Sequence, residues 1–138
     1  MKHTIFAAIG ITGSLIINLL GGWDTALRVL ILFMAADYIS GLIVAGVFKK
    51  SPKTDHGALE SRAGWKGLCR KGMTLLIILV AAQLEGITGT SIIRNAVIIA
   101  YIVNEAISIL ENAGLMGLPI PAVIRNAIDL LKKKSEDQ

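Results

Sequence analysis

The 138-residue sequence has little charge, few aromatic residues and almost no cysteine or histidine. Charged residues make up 17% of the chain, against about 25% in a typical soluble domain. A small domain has a large surface for its volume, so a soluble chain with so few charges would expose large apolar patches to water. The scarcity of charge therefore favours helices surrounded by lipid over a soluble helical bundle.

Residues that could catalyse a reaction or bind a metal ion are also scarce. The single cysteine, Cys69, excludes an intrachain disulfide, and the two histidines, His3 and His56, are isolated from any cysteine or glutamate at metal-ligand spacing. The sequence has no strand pattern followed by a glycine-rich phosphate loop. No apolar stretch contains a histidine that could complete a catalytic triad. We therefore predict no enzymatic activity, no cofactor and no metal site.

Apolar residues are abundant, at 54% of the chain, and the mean hydropathy is +0.66. They form four stretches that approach the about 20 residues of a transmembrane helix. The predicted spans are residues 5–21, 25–48, 72–88 and 92–110. The first span is short, so a three-span alternative stays open. We expect a single-domain, all-α integral membrane protein.

A separate amphipathic helix is predicted over residues 121–133, after the segment LMGLPIP. Five apolar residues, at positions 123, 124, 127, 128 and 131, follow the spacing of one helical face, while Arg125, Asp129 and Lys132 point elsewhere. This helix either lies along the membrane face, with its basic end near anionic headgroups, or packs on the end of the bundle.

Basic residues gather in the connection predicted over residues 49–71, namely Lys49, Lys50, Lys53, Arg62, Lys66, Arg70 and Lys71. With four spans, this connection and both termini lie on one side of the membrane, and the other side receives only two short turns. Because Lys and Arg collect on the cytoplasmic side, we predict that this side is the cytoplasm. No aromatic platform or recognition motif accompanies the cations, so they predict contact with anionic lipid and no nucleic-acid partner.

Three polar residues, Asp37, Asn104 and Glu105, fall inside predicted spans, where an acid at the bilayer centre costs roughly 2.5–3.5 kcal/mol. Small and polar residues accompany them at four-residue spacing: Asp37, Gly41 and Ala45 in the second span, and Ala96, Ala100, Asn104 and Ser108, with Glu105 beside them, in the fourth. Small residues permit close helix contact. These faces either join copies into an oligomer and line a pore, or satisfy one another within a static single copy. Glu85 and Arg94, near span ends, are expected to pair or to reach water.

Four segments occur in an order that is typical of one family: GGWD at 21–24, FMAADYISGLIVAGV at 33–47, SRAGWKGLCRKG at 61–72 and RNAVIIAYIVNEAISILENAGLMGLPIP at 94–121. Together they resemble the phage lysis and toxin-secretion holins, including those associated with clostridial toxin release, over nearly the whole chain. The resemblance points to structural or assembly roles for Asp37, Tyr38, Gly41, Asn104, Glu105, Glu111 and Asn112.

The resemblance implies a holin that forms homo-oligomeric lesions in the cytoplasmic membrane of a bacterial host. Through these lesions a cytoplasmic endolysin, or in some relatives a large toxin, crosses the membrane. It also implies an antiholin partner in some systems. Three alternatives remain open: a small channel or transporter subunit, an antiholin that delays lysis, and an adaptor that binds partners through the amphipathic helix.

Overall fold

The computed structural model describes residues 1–137, which form five α-helices and no strand. The helices are α1 Lys2–Leu19, α2 Thr25–Ile43, α3 Ser61–Thr88, α4 Ile93–Leu115 and α5 Ala122–Glu136, and α2 continues directly into a π-helical turn, Val44–Phe48. The first four, with the π-helical turn included in α2, are long and apolar enough to cross a membrane. The predicted all-α membrane fold with about four spanning helices is confirmed.

The core lies where α2 packs along α4, and α3 closes one side of the pair. Leu27 and Leu30 from α2 meet Ile98 from α4 and Ile78 from α3, and all four are fully buried. Leu27, Leu30 and Met34 recur at three- and four-residue spacing, which places them on one face of α2. These contacts make α2, α3 and α4 the body that positions the polar side chains.

Helix α1 lies outside this body, and none of its residues is buried. It is attached at its C-terminal end, where Leu20 is buried in the core. The Gln83 side-chain amide also donates a hydrogen bond to the Leu19 carbonyl oxygen at 3.0 Å. An apolar helix that contacts so little of the protein requires surrounding lipid, because its apolar surface would otherwise be exposed to water.

Helix α4 ends in a Schellman motif at Gly117. The Leu118 N–H donates to the Ala113 carbonyl and the Gly117 N–H to the Gly114 carbonyl, each at 3.0 Å. Gly117 has a φ of 84°, which glycine adopts without steric cost. Proline follows at positions 119 and 121 and cannot continue the helix, so the chain turns and α5 begins.

The connection between α2 and α3 is shorter than the sequence predicts. We expected a basic connection over residues 49–71, whereas α3 already begins at Ser61 and leaves only residues 49–60 outside helices. Arg and Lys favour helix, and Lys71 finds partners inside the bundle, so the basic segment continues the helix. At 1.5 Å per residue, the 28 residues of α3 span about 42 Å, which exceeds the about 30 Å of a hydrocarbon core. Helices α4 and α5 also end a few residues beyond their predicted limits.

Candidate functional site: two polar clusters

One charged side chain from each of α2, α3 and α4 meets inside the bundle. The Lys71 ammonium donates to Asp37 Oδ2 and to Glu105 Oε2, each at 2.8 Å. Asp37 and Glu105 are each only 7% exposed. We term Asp37, Lys71 and Glu105, with Asn112 and Ser40, the basic-end cluster, because it lies towards the end of the bundle that carries the lysine-rich connection.

Asn112 supports the other carboxylate oxygen of Asp37. Its side-chain amide donates to Asp37 Oδ1 and to the Asp37 carbonyl oxygen at 3.3 Å, and to Ser40 Oγ at 2.8 Å. The Ser40 hydroxyl in turn donates to the Asp37 carbonyl at 3.0 Å. Both oxygens of Asp37 therefore have partners, as a buried carboxylate requires.

The charges of the basic-end cluster satisfy one another within a single copy. Two carboxylates share one ammonium, so the formal charge of the three groups is negative by one. Isolated charges are costly inside a bilayer, and loss of one partner from a buried pair leaves the other uncompensated. The cluster therefore joins α2, α3 and α4, because separating any one of these helices would leave an unpaired charge inside the bilayer.

A cavity of about 530 Å³ lies beside the basic-end cluster, between α2, α3, α4 and the connection over residues 49–60. Its walls include the cations Lys53, Lys66 and Arg70 and the polar side chains of Asn104 and Ser108. Such a volume exceeds what a single water needs, and its polar walls can hold water. The charged cluster thus adjoins a polar space rather than a closed apolar core.

A second polar cluster lies at the opposite end of the bundle, beside the short turns. Arg94 is 5% exposed. Its guanidinium donates to the Leu20 carbonyl, to the Gly22 carbonyl at 2.9 Å and to Asp24 Oδ2 at 2.7 Å. The Arg94 backbone N–H donates to Glu85 Oε1 at 2.7 Å. We term Asp24, Glu85 and Arg94 the turn-end cluster.

The turn-end cluster caps helix termini. Leu20 is the C-cap of α1, so Arg94 places positive charge at a negative helix end, and Glu85 places a carboxylate at the N-terminus of α4. Asp24 is the N-cap of α2 and accepts the Leu27 N–H at 2.9 Å. The hydrogen bond from Arg94 lowers the pKa of Asp24 below its usual value of 3.8.

Comparison with known sequences identifies the family. The sequence model of the bacteriophage holin family matches residues 14–133, a range that contains every residue of both clusters. The chain belongs to the bacteriophage holin family.

Several relatives of this holin cover most of its length. An uncharacterised protein of Listeria innocua is 40% identical over 87% of this chain and 81% of its own. An uncharacterised 14.9 kDa protein of Clostridium perfringens is 36% identical over 88% of each chain. A probable holin of Bacillus phage phi105 is 32% identical over 74% of this chain and 70% of its own. No solved structure matches the chain significantly.

Family membership and the four apolar helices make this chain a membrane protein with a holin role. Membership also favours a protein that acts without catalysis. Within residues 1–137, the acidic, histidine and cysteine side chains form no group of three that would hold a metal ion. The two polar clusters are thus the candidate functional groups of this holin.

The structure brings two of the predicted polar residues to one partner and places a third beside them. Asp37 and Glu105 both bind Lys71, whereas Asn104 is exposed on α4 and lines the adjoining cavity. Gly41 lies beside Asn112, since a Cβ at position 41 would be 3.8 Å from the Asn112 amide nitrogen. The other predicted positions are the buried Ala45, the half-buried Ser108 and the exposed Ala100. Their role in contacts between holin copies or at a pore stays a prediction.

Lys71 differs from the other cations of the predicted connection. The remaining six, Lys49, Lys50, Lys53, Arg62, Lys66 and Arg70, are exposed, whereas the Lys71 side chain is 16% exposed and paired. Sequence reasoning missed this pairing because it assigned Lys71 to a loop. A signal was available, since Lys71, Thr74 and Ile78 follow helical spacing on the face that carries the buried Ile78.

Sequence reasoning also missed the partner of Arg94. We expected Glu85 and Arg94 to pair or to reach water, and the structure joins the Glu85 carboxylate to the backbone N–H of Arg94. The Arg94 side chain instead binds Asp24 and two carbonyl groups. This arrangement depends on how the ends of α1, α2 and α4 meet, which no local pattern specifies.

Proposed function

We propose that this holin accumulates in the bacterial cytoplasmic membrane and then assembles into lesions that let an endolysin cross to the cell wall. Export of a large toxin through the same lesions is included in this proposal. The observation that carries it is the basic-end cluster, found in a chain of the holin family. A single copy pairs the acids near the middle of α2 and α4, Asp37 and Glu105, with Lys71, so it can reside in lipid without opening a leak.

The same polar groups suit an assembled state. A lesion needs a water-facing rim, and helices that are mostly apolar can supply one only through their few polar side chains. Asn104 is exposed on α4, and Ser108 is half-buried one turn further on. We propose that this row, with the nearby basic-end cluster, forms contacts between copies or faces water in the lesion.

We propose that both termini and the basic connection lie in the cytoplasm. The exposed cations of residues 49–70 lie at the end of α2 and the start of α3, and such residues collect on the cytoplasmic side. Anionic lipid of the inner leaflet is the partner that these cations favour. The opposite side receives only the turn before Thr25 and the turn between α3 and α4.

The native thiol tests this orientation. Cys69 is exposed near the start of α3, so a membrane-impermeant maleimide should not label it in intact cells before lesions form. A Thr90→Cys variant in a Cys69→Ser background places the thiol in the opposite turn and should be labelled. The reverse labelling pattern would show that the orientation is inverted.

The function is tested by inducible expression in bacteria with an endolysin that lacks its own export signal. Sudden lysis after a delay is expected, and it should require both proteins. Steady growth of the cells that express both would contradict the proposal.

A reporter separates the alternatives. A cytoplasmic enzyme of endolysin size should appear in the medium when permeabilisation begins. A small channel would pass ions and retain the reporter, and an antiholin would delay lysis by a second holin without causing any.

A further inference from the structure

Helix α5 is held to the bundle by very few side chains. Ile128 is its one buried residue, and it packs against Val103 and Ala106 in the middle of α4, with Leu131 beside it. Other apolar side chains of α5 stay uncovered, since Val123 is 78% exposed and Ile124 is 45% exposed. The docked position therefore uses only part of the face that makes α5 amphipathic.

The docking position lies deep along α4. Ala106 and Val103 precede Leu115, the last residue of α4, by nine and twelve residues, which corresponds to about 13 and 18 Å along the axis. The 23 residues of α4 span about 34 Å, close to the about 30 Å of a hydrocarbon core. On the proposed membrane location, the surface at Val103 therefore lies among acyl chains, and Ala106, beside Glu105 and its partner Lys71, lies nearer the basic end.

The outer face of α5 does not suit that depth. Its charged residues, Arg125, Asp129, Lys132, Lys133 and Lys134, are all exposed in the docked position. Charged side chains are strongly disfavoured when they face acyl chains. Lipid around α4 thus opposes the contact that Ile128 makes.

The membrane surface offers the same helix a better partner. A helix with one apolar face and a basic polar face lies in the interfacial plane, with its apolar side chains among the upper acyl chains. In this position Val123 and Ile124 would be covered together with Ile128 and Leu131. Between residues 125 and 134, four cations accompany one carboxylate, and Glu136 and Asp137 follow, so the segment complements anionic headgroups.

We infer that α5 docks on an anionic membrane surface with the same apolar side chains that it uses against α4, so that the two positions exclude each other. This inference rests on the membrane location in the proposed function. In the membrane-bound position α5 leaves Val103 and Ala106 uncovered. The amount of anionic lipid then controls whether that surface of α4 is covered or open.

Cross-linking of the full chain measures the docked fraction. In a Cys69→Ser background, Ala106→Cys with Ile128→Cys places two thiols in the docked contact, where a short bifunctional methanethiosulfonate bridges them. The protein is compared in zwitterionic micelles, in phosphatidylcholine vesicles and in vesicles that also contain phosphatidylglycerol. We expect the highest yield in micelles and the lowest with phosphatidylglycerol.

The lysines provide a matched variant. Replacing Lys132, Lys133 and Lys134 by Gln should raise the yield in phosphatidylglycerol vesicles and leave the micelle yield unchanged. Because each lysine near an anionic surface contributes about fivefold, the three together should shift the ratio of docked to released α5 by about 100-fold.

Two further pairs keep the test decisive. Val103→Cys with Leu131→Cys reports the same docking if the first pair expresses poorly. Met34→Cys with Ile102→Cys joins α2 to α4 within the core and should give the same yield in all three media.

If the α4–α5 yield is also the same in all three media, or does not respond to the lysine variant, the inference is wrong. Lysis does not enter this readout, so a failed lysis assay would leave the result unaffected.

Discussion

The two polar clusters contain similar groups but satisfy them in different ways. In the basic-end cluster, three charges from the interior of three helices bind one another, and Asn112 binds Asp37. In the turn-end cluster, Arg94 and Glu85 bind backbone groups at helix ends, and the Asp24 side chain is 47% exposed to solvent. Removing a side chain therefore leaves an unpaired charge in the first cluster and uncapped backbone groups in the second.

The largest effect should come from Lys71→Met. It leaves Asp37 and Glu105 as two buried carboxylates without a counter-ion, and removal of one partner from a buried ion pair costs about 3–5 kcal/mol. The unfolding temperature in detergent and the amount of protein in the membrane should both fall. Arg70→Met changes an exposed cation one residue away and serves as the control. Equal unfolding temperatures for the two variants would show that the cluster carries no such role.

Arg94→Met should have the next largest effect. It leaves the carbonyl groups of Leu20 and Gly22 without their side-chain donor, and buried groups that lose a hydrogen-bond partner cost about 1–3 kcal/mol. Limited proteolysis should cleave between α1 and α2 faster in this variant. Arg28→Met, on an exposed position of α2, should be cleaved at the wild-type rate. A wild-type rate for Arg94→Met as well would count against the capping role.

Comparison of Asn112→Leu with Asn104→Leu should distinguish a residue that stabilises the fold from one that acts in assembly. Asn112 binds Asp37 and Ser40, so its loss should lower the free energy of unfolding by about 1 kcal/mol. Asn104 is exposed on the same helix, so its replacement should leave unfolding unchanged and alter the time at which permeabilisation begins. The proposed assembly role of the α4 row fails if Asn104→Leu permeabilises cells at the wild-type time.

The smallest effect should be the pH dependence at Asp24. Because Arg94 holds the folded pKa of Asp24 below 3.8, the carboxylate stabilises the fold above pH 3.8, and this contribution is lost as the pH falls through the lower folded value. The difference in unfolding temperature between the wild type and Asp24→Asn should shrink over that range. Solvent around Asp24 keeps the effect small. A difference between the two proteins that stays constant over that pH range would show that the Arg94 contact does not hold the Asp24 carboxylate in the folded state.

Local patterns predicted the class of fold well and the partners of the polar residues poorly. Hydropathy located all four apolar helices, and amphipathic spacing located α5, because both signals depend on residues close in sequence. The polar residues Asp37 and Glu105 could be recognised as unusual inside spans, since their cost in lipid depends on residue type alone. Their common partner could not be recognised while Lys71 was assigned to a loop.

The remaining features depend on residues far apart in the chain. Arg94 meets Asp24 across 70 positions, and Asn112 meets Asp37 across 75. Such contacts follow from how α2 and α4 pack, and no spacing rule within one helix specifies them. The contact of Ile128 with Val103 and Ala106 is of the same kind, since the sequence allowed α5 either on the membrane or on the bundle.

The most direct test of the charge pairing that joins α2, α3 and α4 is a rescue measurement in detergent-solubilised protein. The free energy of unfolding is compared for the wild type, for Lys71→Met and for Lys71→Met combined with Asp37→Asn and Glu105→Gln. Because the combined variant removes the two carboxylates that lose their shared counter-ion in Lys71→Met, it should recover most of the stability that Lys71→Met alone loses. A combined variant no more stable than Lys71→Met would contradict the account.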